Sequence, residues 1–193
     1  MATLESILPT AIRSELLGVS ERLDRAGIPW AIFAGTAAAV YGSGRPITDL
    51  DILIRTQDRQ AVIALFPEAA VTPETIRLQY IELVPLDDLA FEGAFYSVRL
   101  DDEMLSRRTF QSLGRDIPLL SAEDNIVFKA LLQRGPEQGK HDLTDIQAMA
   151  DNRTLDLEYL MRRAEACGAR ERVWECLRRL RIVGQEGVPC EKG

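Results

Sequence analysis

The stretch "FAGTAAAVYGSGRPITDLDILI", Phe33 to Ile54, decides how the chain is read. It opens apolar, turns at Gly35-Thr36, runs through small residues and ends with two aspartates set among Leu and Ile. Residues i and i+2 of a strand share a face, so Asp49 and Asp51 are expected side by side at the start of a buried strand. Carboxylates held that close raise one another's pKa unless something positive sits between them. A hard cation would serve: Mg²⁺ takes few carboxylates and completes its shell with water and phosphate. Pairs of such ions about 3.5–4 Å apart serve phosphoryl and nucleotidyl transfer. An isolated D-x-D is common by chance, and its alternative is a solvated strand face or a turn cap. Here it has company. Gly35-Thr36 follows a predicted strand and opens a helix, where free N–H groups and a residue without a Cβ form an anion site. Alone, that pair would read as a helix N-cap. Strand, Gly-Thr, helix, Arg45, strand and D-x-D together read as a phosphate cradle followed by a metal site.

Outward from this stretch, apolar residues at spacings of three and four predict a helix over 4–26. "IPWAIFAG" reads as a buried strand and "TQDRQAVIALFP" as a helix capped by Thr56 and ended by Pro67. "AAVTPETI" and "LQYIELV" read as two strands, and "PLDDLAFEG" as a loop. "DDEMLSRRTF" predicts a short helix and "DIPLLS" a short strand. From Ser121, where Ser121-x-x-Asp124 has the spacing of a capping box, the pattern is helical. Helices are expected at about 141–152, 156–167 and 169–183, before a frayed tail. The composition changes near Ser121, which divides the chain into a core of residues 1–120 and a helical part of residues 121–193. The fold class is α/β, or α+β, with a mixed sheet.

Composition narrows the function. With 30 acidic against 23 basic residues, the net charge of −7 disfavours a protein that coats nucleic acid. It leaves room for a local basic groove. Cys167, Cys176 and Cys190 lack metal-type spacing, and so sparse a set suggests a reducing cytoplasm. The first residues carry Glu5 and Glu15 without a basic start, so no signal peptide is expected, and no run approaches membrane-spanning length. His141 is the single histidine, which excludes any internal histidine-rich metal site.

"AGTAAAVYGSGRPITDLDILI" resembles the signature of the DNA polymerase β-like nucleotidyltransferase superfamily: Gly-Gly/Ser/Thr, a short helix, then D-h-D/E on the next strand. The small prokaryotic members are most similar, among them minimal nucleotidyltransferases, abortive-infection-type toxins and lincosamide nucleotidyltransferases. "IPLLSAEDNIVFKALLQRGPEQGKHDLTDIQAM" resembles a second family segment, so the likeness spans roughly Ile28 to Met149. It implies a roughly five-stranded mixed sheet flanked by helices, two Mg²⁺ ions, and transfer of a nucleoside monophosphate from a triphosphate to a hydroxyl of a small molecule, protein or RNA. By position, Gly35 and Thr36 match the phosphate-binding pair, and Asp49 and Asp51 the metal-binding carboxylates. Glu82, between Ile81 and Leu83, is the candidate for the third carboxylate. An exposed position on an alternating strand is its alternative, and Asp87 and Asp88 are the reserve. Lys129 and Lys140 match positions near the triphosphate. Lys129 falls off the apolar stripe of its helix, so a solvated lysine is its alternative. Arg45 could pair a phosphate oxygen or brace Asp49. Asp142 reads as a helix cap. The rival to an enzyme is a toxin–antitoxin-like module of the same fold that masks a partner protein without catalysis.

Overall fold

A computed structural model describes residues 2–184. Cys190 and most of the tail expected to fray lie outside the described residues.

The predicted first helix is broken by Pro9 into α1 (Leu4–Ile7) and α2 (Thr10–Arg25). Pro9 sits at the N-cap of α2, where its missing N–H goes unneeded. β1 (Trp30–Phe33) is buried at every residue. It runs into α3 (Ala34–Ala38), which continues as a wide π-type turn over Ala39–Ser43. Gly42 in that turn has φ 134°, and a Cβ there would come within 2.6 Å of the Asn152 side chain. Only glycine lets the two segments approach so closely.

β2 (Leu50–Ile54) pairs antiparallel with β1, and α4 (Arg59–Leu65) follows it. Next come β3 (Ala70–Val71), β4 (Ile76–Arg77) and β5 (Ile81–Pro85). The segment read as a loop is a hairpin instead, β6 (Asp88–Phe91) and β7 (Ala94–Ser97). Its tip, Glu92-Gly93, has positive φ at both residues, the backbone a two-residue hairpin turn requires. The Arg172 guanidinium lies over the Phe91 ring, and Ser97 N–H donates to the Cys167 carbonyl, so the hairpin docks on the C-terminal helices. α5 (Asp102–Ser106) is capped by the Asp101 side chain. β8 (Thr109–Ser112) and β9 (Asp116–Leu119) complete a mixed sheet in the order β3-β4-β5-β2-β1-β9-β8. β1 thus lies between antiparallel β2 and parallel β9, and β2 pairs parallel with β5.

The rest is helical, as expected: α6 (Ala122–Leu132), α7 (Asp142–Asn152), α8 (Leu157–Ala166) and α9 (Arg170–Arg179). Ser121 caps α6, its hydroxyl accepting from Asp124 N–H. α6 touches α3, α7, α8 and α9 and is buried at nine of its residues, so it is a central helix rather than an amphipathic surface one. The apolar core is continuous from α2 through the sheet to α6 and α9.

Candidate active site

The end of the central strands where β1 stops and β2 begins gathers the chemistry. Asp49 is exposed directly before β2; Asp51, the second residue of β2, is half-buried. In register, Asp51 lies between Phe33 of β1 and Glu82 of β5, and Glu82 in turn lies opposite Arg77 of β4. Directly opposed residues point to one face. A single row therefore crosses the sheet: Phe33, Asp51, Glu82, Arg77. Arg77 grips Glu82 through Nε and Nη2, both on Oε1. The Asp51 carboxyl is pushed up to about 6 by burial first, then by the charges of Asp49 and Glu82, while Lys140 and Lys129 pull it down.

A buried acid crowded by two others is what a divalent cation relieves. Asp49 and Asp51 suit that task. Among the described residues no three His, Cys, Asp or Glu side chains converge into a ready-made metal cage. Glu82 is held by Arg77 instead.

The turn from β1 into α3 is strained. Ala34 has φ 57°, a left-handed backbone that costs a residue with a Cβ about 1 kcal/mol or more. A buried side chain holds it there. Ala34 N–H donates to Asn125 Oδ1 at 2.9 Å, and Asn125 Nδ2 donates to the Leu120 and Ser121 carbonyls. The next residue, Gly35, leaves open space: a Cβ there would meet nothing nearer than Arg45 Nη2 at 3.9 Å. Thr36 is buried and its hydroxyl donates to the Asp49 carbonyl at 3.4 Å, near the outer limit of a hydrogen bond. α3 therefore packs directly against the start of the D-x-D segment.

A second wall is cationic. Arg45 makes a two-pronged bond to Asp145, Nε at 2.9 Å and Nη2 at 2.6 Å. Lys129 Nζ sits 2.7 Å from Asp145 and 3.2 Å from Asp142, and Arg134 Nε is 2.9 Å from Asp142. Lys129 is buried, not solvated, because α6 is covered on all sides. Asp142 caps nothing; His141 holds the cap position of α7, and the Asp142 carboxylate turns inward. Burial would raise its pKa, but the Arg134 hydrogen bond and the Lys129 charge outweigh burial and hold it below the usual carboxylate value. Arg45 pairs Asp145 rather than bracing Asp49. Lys140 is exposed and acts on Asp51 through its charge. Asp87 and Asp88 are exposed at the start of the β6–β7 hairpin.

Two residues that sequence reasoning did not single out prove central: Asp145, which holds both Arg45 and Lys129, and Asn125, which pins Ala34. Asp145 lay in view, three residues after Asp142 on one helix face. Asn125 gave no signal beyond being polar in an apolar helix.

Known proteins agree with this architecture. The family model described as an uncharacterised nucleotidyltransferase matches residues 9–183. A crystal structure of ANT(2")-Ia in complex with adenylyl-2"-tobramycin superposes with a TM-score of 0.56 at 14% identity, covering 84% of this chain and 99% of that one. A nucleotidyltransferase-like crystal structure from Thermotoga maritima superposes at 0.50 with 20% identity, over 68% of this chain and 89% of that one. At such identities the likeness speaks for the fold alone. No curated protein matches the chain in sequence.

Proposed function

The chain belongs to the nucleotidyltransferase family whose model spans residues 9–183, and on that premise we propose that it moves a nucleoside monophosphate from a nucleoside triphosphate to a hydroxyl acceptor. The observation that carries this reading is the Asp51 carboxyl, buried and pushed up beside Asp49 at the mouth of an open glycine turn. Asp49 and Asp51 would hold Mg²⁺, with Glu82 as a third ligand or as the base that takes the acceptor proton. When bound, the metal lowers the pKa of the attacking hydroxyl and offsets charge developing on the phosphate. The Gly35-Thr36 turn would meet the outer phosphates through its backbone, since the buried Thr36 hydroxyl is engaged by the Asp49 carbonyl. Arg45 and Lys129, fixed in advance by Asp145, present positive charge to the same phosphates, and such preorganised charge need not be rearranged as the reaction proceeds. Lys140 adds a mobile cation at the rim. The acceptor oxygen bonds to the α-phosphorus as the bond to the bridging oxygen breaks, and pyrophosphate leaves with that electron pair.

For the acceptor we favour a small molecule over protein or RNA. The ANT(2")-Ia structure holds an adenylylated small molecule, and the net charge of −7 gives nucleic acid little to bind. Residues 121–193 act in this reading as a helical subdomain whose Lys129 and Lys140 complete the core's site, and the protein works in the cytoplasm. Among the described residues no helix is long and apolar enough to cross a membrane. The second reading, a non-catalytic module that masks a partner protein, draws on one observation: Glu82 is already engaged by Arg77.

The test is direct. The purified chain is incubated with each α-labelled triphosphate, Mg²⁺ and a panel of hydroxyl-bearing small molecules, then with fractionated lysate. Wild type is expected to pass label to an acceptor, and Asp49→Asn and Asp51→Asn to lose at least about a hundredfold in rate, the scale of a lost electrostatic contribution. Label that never leaves the triphosphate, or variants that transfer as well as wild type, would turn the reading to the non-catalytic module.

A further inference from the structure

We propose that Arg77 is a positioning residue that withholds Glu82 from the Asp49–Asp51 pair, so that the third carboxylate joins the site only when a divalent cation draws it away from the guanidinium. The inference rests on the metal-site reading above and adds a residue to it.

The register row supplies the geometry. Glu82 on β5 stands between Asp51 on β2 and Arg77 on β4. The two neighbours lie on opposite sides of it, each one strand spacing of about 4.8 Å away. A glutamate carboxyl can lean either way across that spacing but cannot serve both partners fully. Here it leans to Arg77, whose Nε and Nη2 converge on one oxygen, Oε1. No three-carboxylate cage exists among the described residues, although Asp49, Asp51 and Glu82 are near enough for the charges of Asp49 and Glu82 to act on Asp51.

The contact is weak enough to yield. The Arg77 side chain is 62% exposed against 20% for Glu82, and an ion pair with one partner so open to water shifts an equilibrium by about fivefold. β4 is only two residues long and its outer neighbour β3 is no longer, so Arg77 can swing free while Ile76 keeps its place in the core. A doubly charged cation beside Asp49 and Asp51 attracts Glu82 more strongly than one exposed guanidinium does. The exchange is a competition for a single carboxylate. While the cation is away, Arg77 offsets the charge of Glu82 from the side away from Asp51.

Mn²⁺ stands in for Mg²⁺ as a probe read by electron paramagnetic resonance, on the full chain without nucleotide or acceptor. Arg77→Gln is expected to tighten Mn²⁺ binding about three- to fivefold, the scale of one exposed ion pair. Arg77→Lys, which keeps the charge and can pair through its single nitrogen, is expected to return affinity close to wild type; it also serves as the folded comparison. In a Glu82→Gln background, Arg77→Gln is expected to bring no gain. Unchanged affinity in Arg77→Gln overturns the inference. So does an equal gain with and without Glu82, because removing any nearby positive charge would produce that. The metal reading itself fails differently: Mn²⁺ binding in wild type and Arg77→Gln no tighter than in Asp51→Asn would overturn it, and the role of Arg77 with it.

Discussion

Two buried ion clusters flank α6, and they are built with opposite balances. On the side of the candidate site, three cations, Arg45, Lys129 and Arg134, meet two carboxylates, Asp142 and Asp145. On the side of α8, two cations, the buried Arg163 and the half-exposed Arg162, meet three carboxylates, Asp101, Glu103 and Asp124. The acids respond accordingly. Asp142 is held below the usual carboxylate value, whereas Asp124 is pushed up to about 6 by burial, which the Ser121 hydroxyl, the Arg163 charge and the Tyr159 hydroxyl offset only in part. The cation-rich cluster reaches the glycine turn through Arg45, whose Nη2 would lie 3.9 Å from a Cβ on Gly35, and a triphosphate at that turn would bring it negative charge. In the acid-rich cluster the Tyr159 hydroxyl donates to Asp124, with the Arg107 guanidinium 4.0 Å above its ring. Excess charge of one sign is tolerable in a buried cluster where a ligand of the other sign completes it. Elsewhere the excess is met by a shifted pKa.

The contrast can be broken most sharply at Asp145. Asp145→Ala removes the carboxylate that Arg45 and Lys129 share and leaves three cations to Asp142 alone. Breaking a buried ion pair by removing one partner costs about 3–5 kcal/mol. Chemical denaturation is expected to show a loss of that size, and triphosphate binding to weaken as Arg45 loses its fixed direction. Arg163→Met strikes the other cluster and is expected to cost less, about 1–3 kcal/mol at pH 6, because the acids it leaves can take up protons. If the two variants lose equal stability, the asymmetry between the clusters has no energetic meaning.

The pH dependence sharpens the point. Because the Asp124 pKa is raised on folding, from 3.8 to about 6, the folded state binds its proton more tightly than the unfolded one. The stabilisation from that proton is complete below the unfolded value and is lost as the pH rises through the folded one. Asp51, also raised to about 6, acts in the same window. Stability is therefore expected to fall between about pH 4 and pH 6, and Asp124→Asn to remove its own share of that fall; denaturation midpoints of Asp124→Asn and Asp51→Asn across the range separate the two. The smallest effect belongs to a pair in neither cluster. Arg25 and Glu21 are both well exposed, one helical turn apart, and Arg25→Ala is expected to change stability by less than about 0.5 kcal/mol. A larger loss would mean that surface pairs matter here as much as buried ones.

How much of this was legible in the sequence depended on distance along the chain. The order β1, Gly35-Thr36, α3, β2 and the Asp49/Asp51 spacing are local, and the sequence carries them through period and turn chemistry. The Ser121 cap is local too. The alternative of a solvated Lys129 fails because stripe arguments assume a helix with a wet side, and α6 has none. The β6–β7 hairpin was hidden because its Glu-Gly turn lacks the Asn-Gly or Asp-Gly signal that announces such turns. Arg45 and Asp145 are 100 residues apart, and no local pattern pairs them. Register pairing of Asp51, Glu82 and Arg77 likewise exists only once three strands have aligned.

Asn125 carries a consequence for how the molecule comes into being. It holds the bend at Ala34 from 91 residues away, and β9, which lies against β1, also comes from the later half of the chain. Contacts between such distant segments form late, since the loop between them must close first. On a growing chain the two aspartates and the glycine turn emerge early. Their strained geometry cannot be fastened until residue 125 has followed them out and α6 has packed. The protein is therefore expected to finish its sheet before it acquires a triphosphate pocket, and a truncated chain ending before α6 would carry the signature of the site without its shape.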